Sequence, residues 1–174
     1  MNSKVVICEE RLERYPRSTV IAGNLIMLGW IALGTAACYF FNPIAALVFL
    51  AVALLLVFVV LRKLVCTNCY YYDKWCATGW GKLSALMFKK GNMETFNDSV
   101  GVKLAPVIYG LLTLVPLVLG TIGAVWHFSV VMPIVLAALL LLGFYSGTLS
   151  RRKTCAQCKI SHYCIGSAAK HVQE

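Results

Sequence analysis

Residues 19–41, 43–61, 104–126 and 130–149 contain no Asp, Glu, Lys, Arg or His. Each run is close to the roughly 20 apolar residues that a helix needs to cross a bilayer core. In that medium a backbone must satisfy its own N–H and C=O groups, so isolated runs of this length fold as helices. The chain therefore reads as an all-α integral membrane protein with four transmembrane helices. They form two tandem helical hairpins. Composition agrees: of 174 residues, 60% are hydrophobic and 13% charged, far more apolar than a soluble domain. The first run follows a long lead-in carrying Glu9, Glu10 and Glu13. A secretory signal has a short basic start and an apolar core of about 7–15 residues, so residues 19–41 read as a retained helix.

The net charge of +9 is unevenly placed. All 16 Lys and Arg lie before Ser18, between Arg62 and Lys103, or after Ser150. The hairpin turns at Asn42-Pro43 and Trp126-His127-Phe128-Ser129 have none. Lys and Arg accumulate in cytoplasmic loops. This predicts a multi-pass protein of the cell membrane with both termini and the middle loop in the cytoplasm. Basic loops beside a membrane also attract anionic lipid. The lipid bilayer and a cytosolic or membrane protein are the expected partners, and nucleic acid is not.

The chain also repeats itself. "LRKLVCTNCYYYDKWCATGWGK" precedes "RRKTCAQCKISHYCIGSAAK" by about ninety residues. Pro16 and Pro106, and Pro43 and Pro133, are each 90 residues apart; the matched cysteines are offset by 89, 89 and 88. Gly34-Thr35 and Gly120-Thr121 match less well, at 86. These offsets predict a duplication, with residues 1–90 as the first repeat and 91–174 as the second. Two spans per repeat preserve orientation, so a pseudo-two-fold axis along the membrane normal is expected, as in parallel-repeat transporters. Each hairpin is expected to be followed by a small cytosolic Cys module, at 66–76 and 155–164. Leu83, Leu86 and Met87 fall on one side of an expected interfacial helix at about 81–90. Trp75 and Trp80 serve as its aromatic anchors, and Lys82, Lys89 and Lys90 reach headgroups. Pro116 predicts a kink in the third span. Gly143 and Gly147 form a small-xxx-small pair that permits close helix packing.

The modules carry the chemistry. Each has Cys-x2-Cys and then a third Cys: Cys66, Cys69, Cys76 and Cys155, Cys158, Cys164. A reducing cytosol disfavours structural disulfides, and soft thiolates select zinc, copper(I) or iron–sulfur. A tetrahedral site needs a fourth ligand. Four residues after the second Cys stand Asp73 and His162, both ligand types, at matched positions. Cys8 for the first module and His171 for the second are the alternatives. Neither a zinc ribbon nor the bacterial ferredoxin run has this spacing, so the metal reads as an iron–sulfur cluster or zinc. Cys38, inside the first span, reads as a small packing residue.

Ionisable residues within spans mark ion and proton paths; their absence here, and that of a mid-span His, argue against ion translocation and haem ligation. Asn24 and Thr113 are the notable polar span residues and are expected to bond between helices. No nucleophile–base set or nucleotide loop is visible, so catalysis by this chain alone is not expected. The expected function is a small membrane protein holding two metal centres, as an accessory or electron-transfer subunit. The alternatives are a zinc-stabilised anchor for a cytosolic partner, a handler of soft metal ions, and a thiol oxidoreductase.

Overall fold

A computed structural model describes residues 7–127 and 131–169. It is all-helical, with four helices long and apolar enough to cross a membrane. The first, α1, spans Arg17–Phe41. Asn42 is the whole connection to α2, Pro43–Leu55. It is extended, its N–H bonds back to Cys38, and its side chain accepts the Ile44 N–H at 2.7 Å. Pro43 at the first helical position has no N–H to satisfy. One residue thus ends one helix and caps the next.

The second span does not stop at Leu61. A π turn at Leu56–Val60 leads into α3, Leu61–Leu64, and a 3-10 turn at Cys66–Asn68. The fourth follows the same sequence. Helix α6, Val131–Tyr145, passes through a π turn at Ser146–Ser150 into α7, Arg151–Ala156. The two π turns are 90 residues apart, from Leu56 to Ser146. Basic residues suit a helix C-terminus, and Arg62, Lys63 and Lys153 occupy the last turns. The helices therefore carry on past the apolar runs and deliver Cys66 and Cys155 at their ends.

The third span, α5, covers Val100–His127 with Pro106 and Pro116 inside it. Helix α1 is central, lying against α2, α5 and α6, while α5 also packs on α6. Close approach falls at two glycines. A Cβ on Gly34 would stand 2.8 Å from Phe49 of α2 and 3.5 Å from Pro116 of α5. One on Gly120 would stand 2.9 Å from Leu136 of α6 and 3.3 Å from Ala37 of α1. Each odd helix thus meets its hairpin partner and the other odd helix through a glycine. Gly143 and Gly147 make no such approach, and nothing lies within 4 Å of a Cβ at Gly147. Cys38 is fully buried in the bundle core, as a packing residue would be. Elsewhere the spans face outward. Only 28% of each of the first three and 11% of the fourth is buried inside the protein, so their apolar exteriors require an apolar surround.

Helix α4 is Trp80–Met87. Leu86 is 83% exposed, and Leu83 and Met87 are exposed beside it, leaving an apolar face free for lipid. Trp80 differs from its expected role as an interfacial anchor. It is buried against Phe58, and its indole N–H points at Asn24 Oδ1. Asn24 itself bonds to the carbonyls of Val20 and Thr78, and Thr113 to that of Tyr109 in its own helix. Neither bridges two spans.

Candidate functional site

Both cysteine modules lie at one end of the bundle and are built from the same turns. In the first, the Cys69 N–H bonds to Cys66 O, Tyr72 N–H to Cys69 O, and Gly79 N–H to Cys76 O. In the second, Cys158 N–H bonds to Cys155 O, Ser161 N–H to Cys158 O, and Ser167 N–H to Cys164 O. Each cysteine carbonyl accepts from the residue three positions on, so each thiol starts a tight turn. Helix α4 closes the first module. Asp73, in the left-handed region at φ 59°, donates its N–H to Gly81 O. The backbone passes so near that a Cβ on Gly81 would fall 1.8 Å from Tyr71 O.

The modules are not separate. Cys69 and Cys158 both pack into the cluster of Tyr15, Val20 and Tyr71, and both into that of Phe96, Ile160 and Tyr163. Tyr71 joins them: its hydroxyl donates to Leu12 O at 2.6 Å and accepts the Lys159 N–H at 3.2 Å. The segment before α1 runs along the seam. Cys8 N–H bonds to Lys159 O, Leu12 N–H to Gln157 O, Tyr15 N–H to Trp75 O and the Tyr15 hydroxyl to Thr154 O. The segment before α5 holds the second module through Asn97 to Tyr163 O and the Tyr163 hydroxyl to Glu94 O. Gly91 N–H reaches back to Thr67 O in the first.

Burial governs the thiols. It pushes Cys69 far above its ordinary value; the Tyr71 N–H offsets part of this, and Cys66, Cys158 and Cys76 add to it. Burial raises Cys158 to about 11, with the Ile160 N–H opposing and Cys155 and Cys164 contributing. Both are neutral thiols near pH 7. The same interactions link the six cysteines into one electrostatic neighbourhood, joined at Cys69 and Cys158.

The expected fourth ligands each have a polar partner. Asp73 pairs with Lys82 at 3.0 Å, both exposed. His162 is exposed and contacts Arg11 at 3.2 Å, which also bonds Ser161. Cys8 bonds through its backbone N–H to Lys159 of the second module, and His171 lies outside the described residues. Among the described residues no three His, Cys, Asp or Glu side chains converge tightly enough to enclose a metal ion. Three soft donors per module, each opening a turn, fit a soft metal by their chemistry.

Arg62 stands at the membrane edge of the first module. It is 3% exposed, its guanidinium 4.5 Å from the Phe58 ring centre and 4.9 Å from that of Trp80. Its Nε has no hydrogen-bond partner among the described residues. The charge lies within reach of Cys66, Cys76 and Tyr109. At the second module Arg151 and Arg152, 89 and 90 residues on, are both exposed. Tyr71 did not stand out in the sequence, and Arg62 was one of several basic residues flanking the thiols that could offset the charge of a metal centre. The one signal was position: an Arg directly after an apolar run, and a Tyr two residues after a Cys-x2-Cys.

No protein-family model, no curated protein and no solved structure matches this chain. The fold and the site are those of a helical protein compatible with a membrane, with one thiol-rich end.

Proposed function

We propose that the chain is a duplicated membrane protein that holds two soft-metal centres on its cytosolic side. Cys66, Cys69 and Cys76 supply one core, and Cys155, Cys158 and Cys164 the other. The observation that carries the reading is the matched set of turns, which presents three thiols in the same order twice. The π turns 90 residues apart and the paired glycines at Gly34 and Gly120 support the duplication. Placement of the Lys and Arg supports the cytosolic side. Ligation requires each thiol to lose its proton, so a metal is what would ionise Cys69 and Cys158 in their buried setting. Asp73 and His162 are the fourth ligands proposed for the two cores, and each would exchange its contact with Lys82 or Arg11 for the metal.

The centre is an iron–sulfur cluster or zinc. A cluster would supply one-electron chemistry, and the shared seam at Cys69 and Cys158 would set two clusters side by side for transfer. That suits an electron-transfer or accessory subunit. Zinc would serve instead to fasten an anchor. The ties from the modules to Leu12, Tyr15, Glu94 and Asn97 favour that second reading.

Anaerobic purification followed by a visible spectrum and counts of iron, sulfide and zinc tests both. Broad absorbance with iron and sulfide supports clusters, and colourless protein with one or two zincs supports the anchor. Protein that takes up neither ends the metal reading.

A further inference from the structure

Among the described residues, Arg62 is a buried charge without a matching anion. Burying an ion is costly unless it is paired and hydrogen-bonded. The rings of Phe58 and Trp80 offer cation–π contact, yet Nε remains unpartnered. The side chain is almost wholly enclosed, at 3% exposure. The thiols Cys66 and Cys76 pack on the cluster that contains Leu61 and Trp80, the ring over which the guanidinium lies at 4.9 Å.

We propose that Arg62 is the counter-charge of the first metal centre. It neutralises the negative charge that gathers when Cys66, Cys69 and Cys76 bind metal as thiolates, and so makes this the tighter of the two centres. Three thiolates around a dication leave one net negative charge, at partly buried cysteines. Metal loading would give this cation the anionic partner that it lacks among the described residues. The second centre lacks this arrangement. Arg152 is exposed, and the buried Lys159 is already paired, its Nζ 3.4 Å from Glu13. Arg62 is a positioning residue here, acting through the thiolates and not on the metal.

The inference rests on the two-centre reading, and the test separates them. The full-length protein is purified in detergent, reduced, stripped of metal and titrated with cadmium(II) against a competing chelator. The thiolate-to-cadmium absorbance is followed, and melting of the metal-free protein is measured in parallel. A Cys155→Ser/Cys158→Ser/Cys164→Ser background isolates the first centre. There Arg62→Met should weaken cadmium binding by roughly 10–100-fold, the size of effect that outer partners of metal ligands have. Arg62→Lys should restore much of it. Arg152→Met in the full chain should change neither centre. Without metal, Arg62→Met should melt no lower than the parent, because an uncompensated charge has gone. Undiminished binding in Arg62→Met overturns the inference and leaves the metal centres standing. Metal-free Arg62→Met that is destabilised or unfolded also overturns it, because Arg62 would then be structural. A parent that binds no cadmium overturns the metal reading, and this inference with it.

Discussion

The two cysteine modules share a backbone and differ in their surroundings. Both use the same turns from the same cysteines, but the first is seated on the bundle. Cys66 and Cys76 pack against the core that holds Trp30, Leu61 and Trp80, and α4 folds under it. The second is closed from outside by two lead-in segments, through Leu12, Tyr15, Glu94 and Asn97. Where the first has Tyr71, the second has Ile160; both are buried, but only Tyr71 carries a hydroxyl to bridge the seam. Closely similar local spacing can therefore repeat a set of turns, while the neighbours decide how firmly each set is held and what charge it meets.

The comparison breaks most sharply at Gly81. Adding a methyl there drives it into Tyr71 O, so Gly81→Ala should destabilise the protein by about 1–3 kcal/mol, the usual range for overpacking, and loosen the first module before the second. Gly147→Ala, in open space, should be neutral or up to about 1 kcal/mol stabilising by helix propensity. Melting temperatures of the metal-free variants, compared with the parent, decide this. Equal losses at the two sites would mean that α4 does not brace the first module.

Tyr71→Phe keeps the ring and removes the bridge. It leaves the Leu12 carbonyl and the Lys159 N–H without their partner, a loss of about 1–3 kcal/mol for buried groups. Hydrogen exchange should quicken at Lys159 and in the segment before α1. If exchange is unchanged, the seam is not held by this hydroxyl.

The smallest effect is a pH dependence confined to high pH. Burial raises Cys158 to about 11, so the folded state keeps a proton that the unfolded chain loses near its ordinary thiol value. Stability from this source is complete below the unfolded value and is lost as pH rises toward about 11. The sign follows from linkage, because the folded state binds more protons over that interval. Cys158→Ser should flatten that part of the melting-temperature profile of the metal-free protein. A profile identical to the parent between pH 8 and pH 11 would sink the assignment of Cys158 as a buried thiol.

Much of the fold was legible because a bilayer tolerates so little. Runs free of charge as long as residues 19–41 and 43–61 admit one backbone solution, and helices α1 and α2 to α3 occupy them. The helix ends were less legible. Arg62-Lys63 and Arg151-Arg152-Lys153 read as the start of loops, yet they continue the helices, since cations favour a C-terminal turn and can lie at a membrane edge. Trp80 misled for a related reason. An aromatic at an interface reads as an anchor, but Phe58 and Asn24, far away in sequence, draw it into the core. Asp73 and His162 looked alike by position; Lys82 and Arg11 then engage them separately.

What the sequence determined by itself was set by the medium and by short spacing: four helices long and apolar enough to span, a basic side, and two runs of three cysteines. Those depend on the chemistry of neighbouring residues. Only the tertiary structure decided that Cys8 bonds through its backbone to the second module, that Cys69 and Cys158 share one seam, and that Arg62 is shut in while Arg152 faces out. Each is a contact between residues far apart in the chain. No local pattern encodes it, because it depends on how α1 lies across α5 and on which lead-in segment reaches which module.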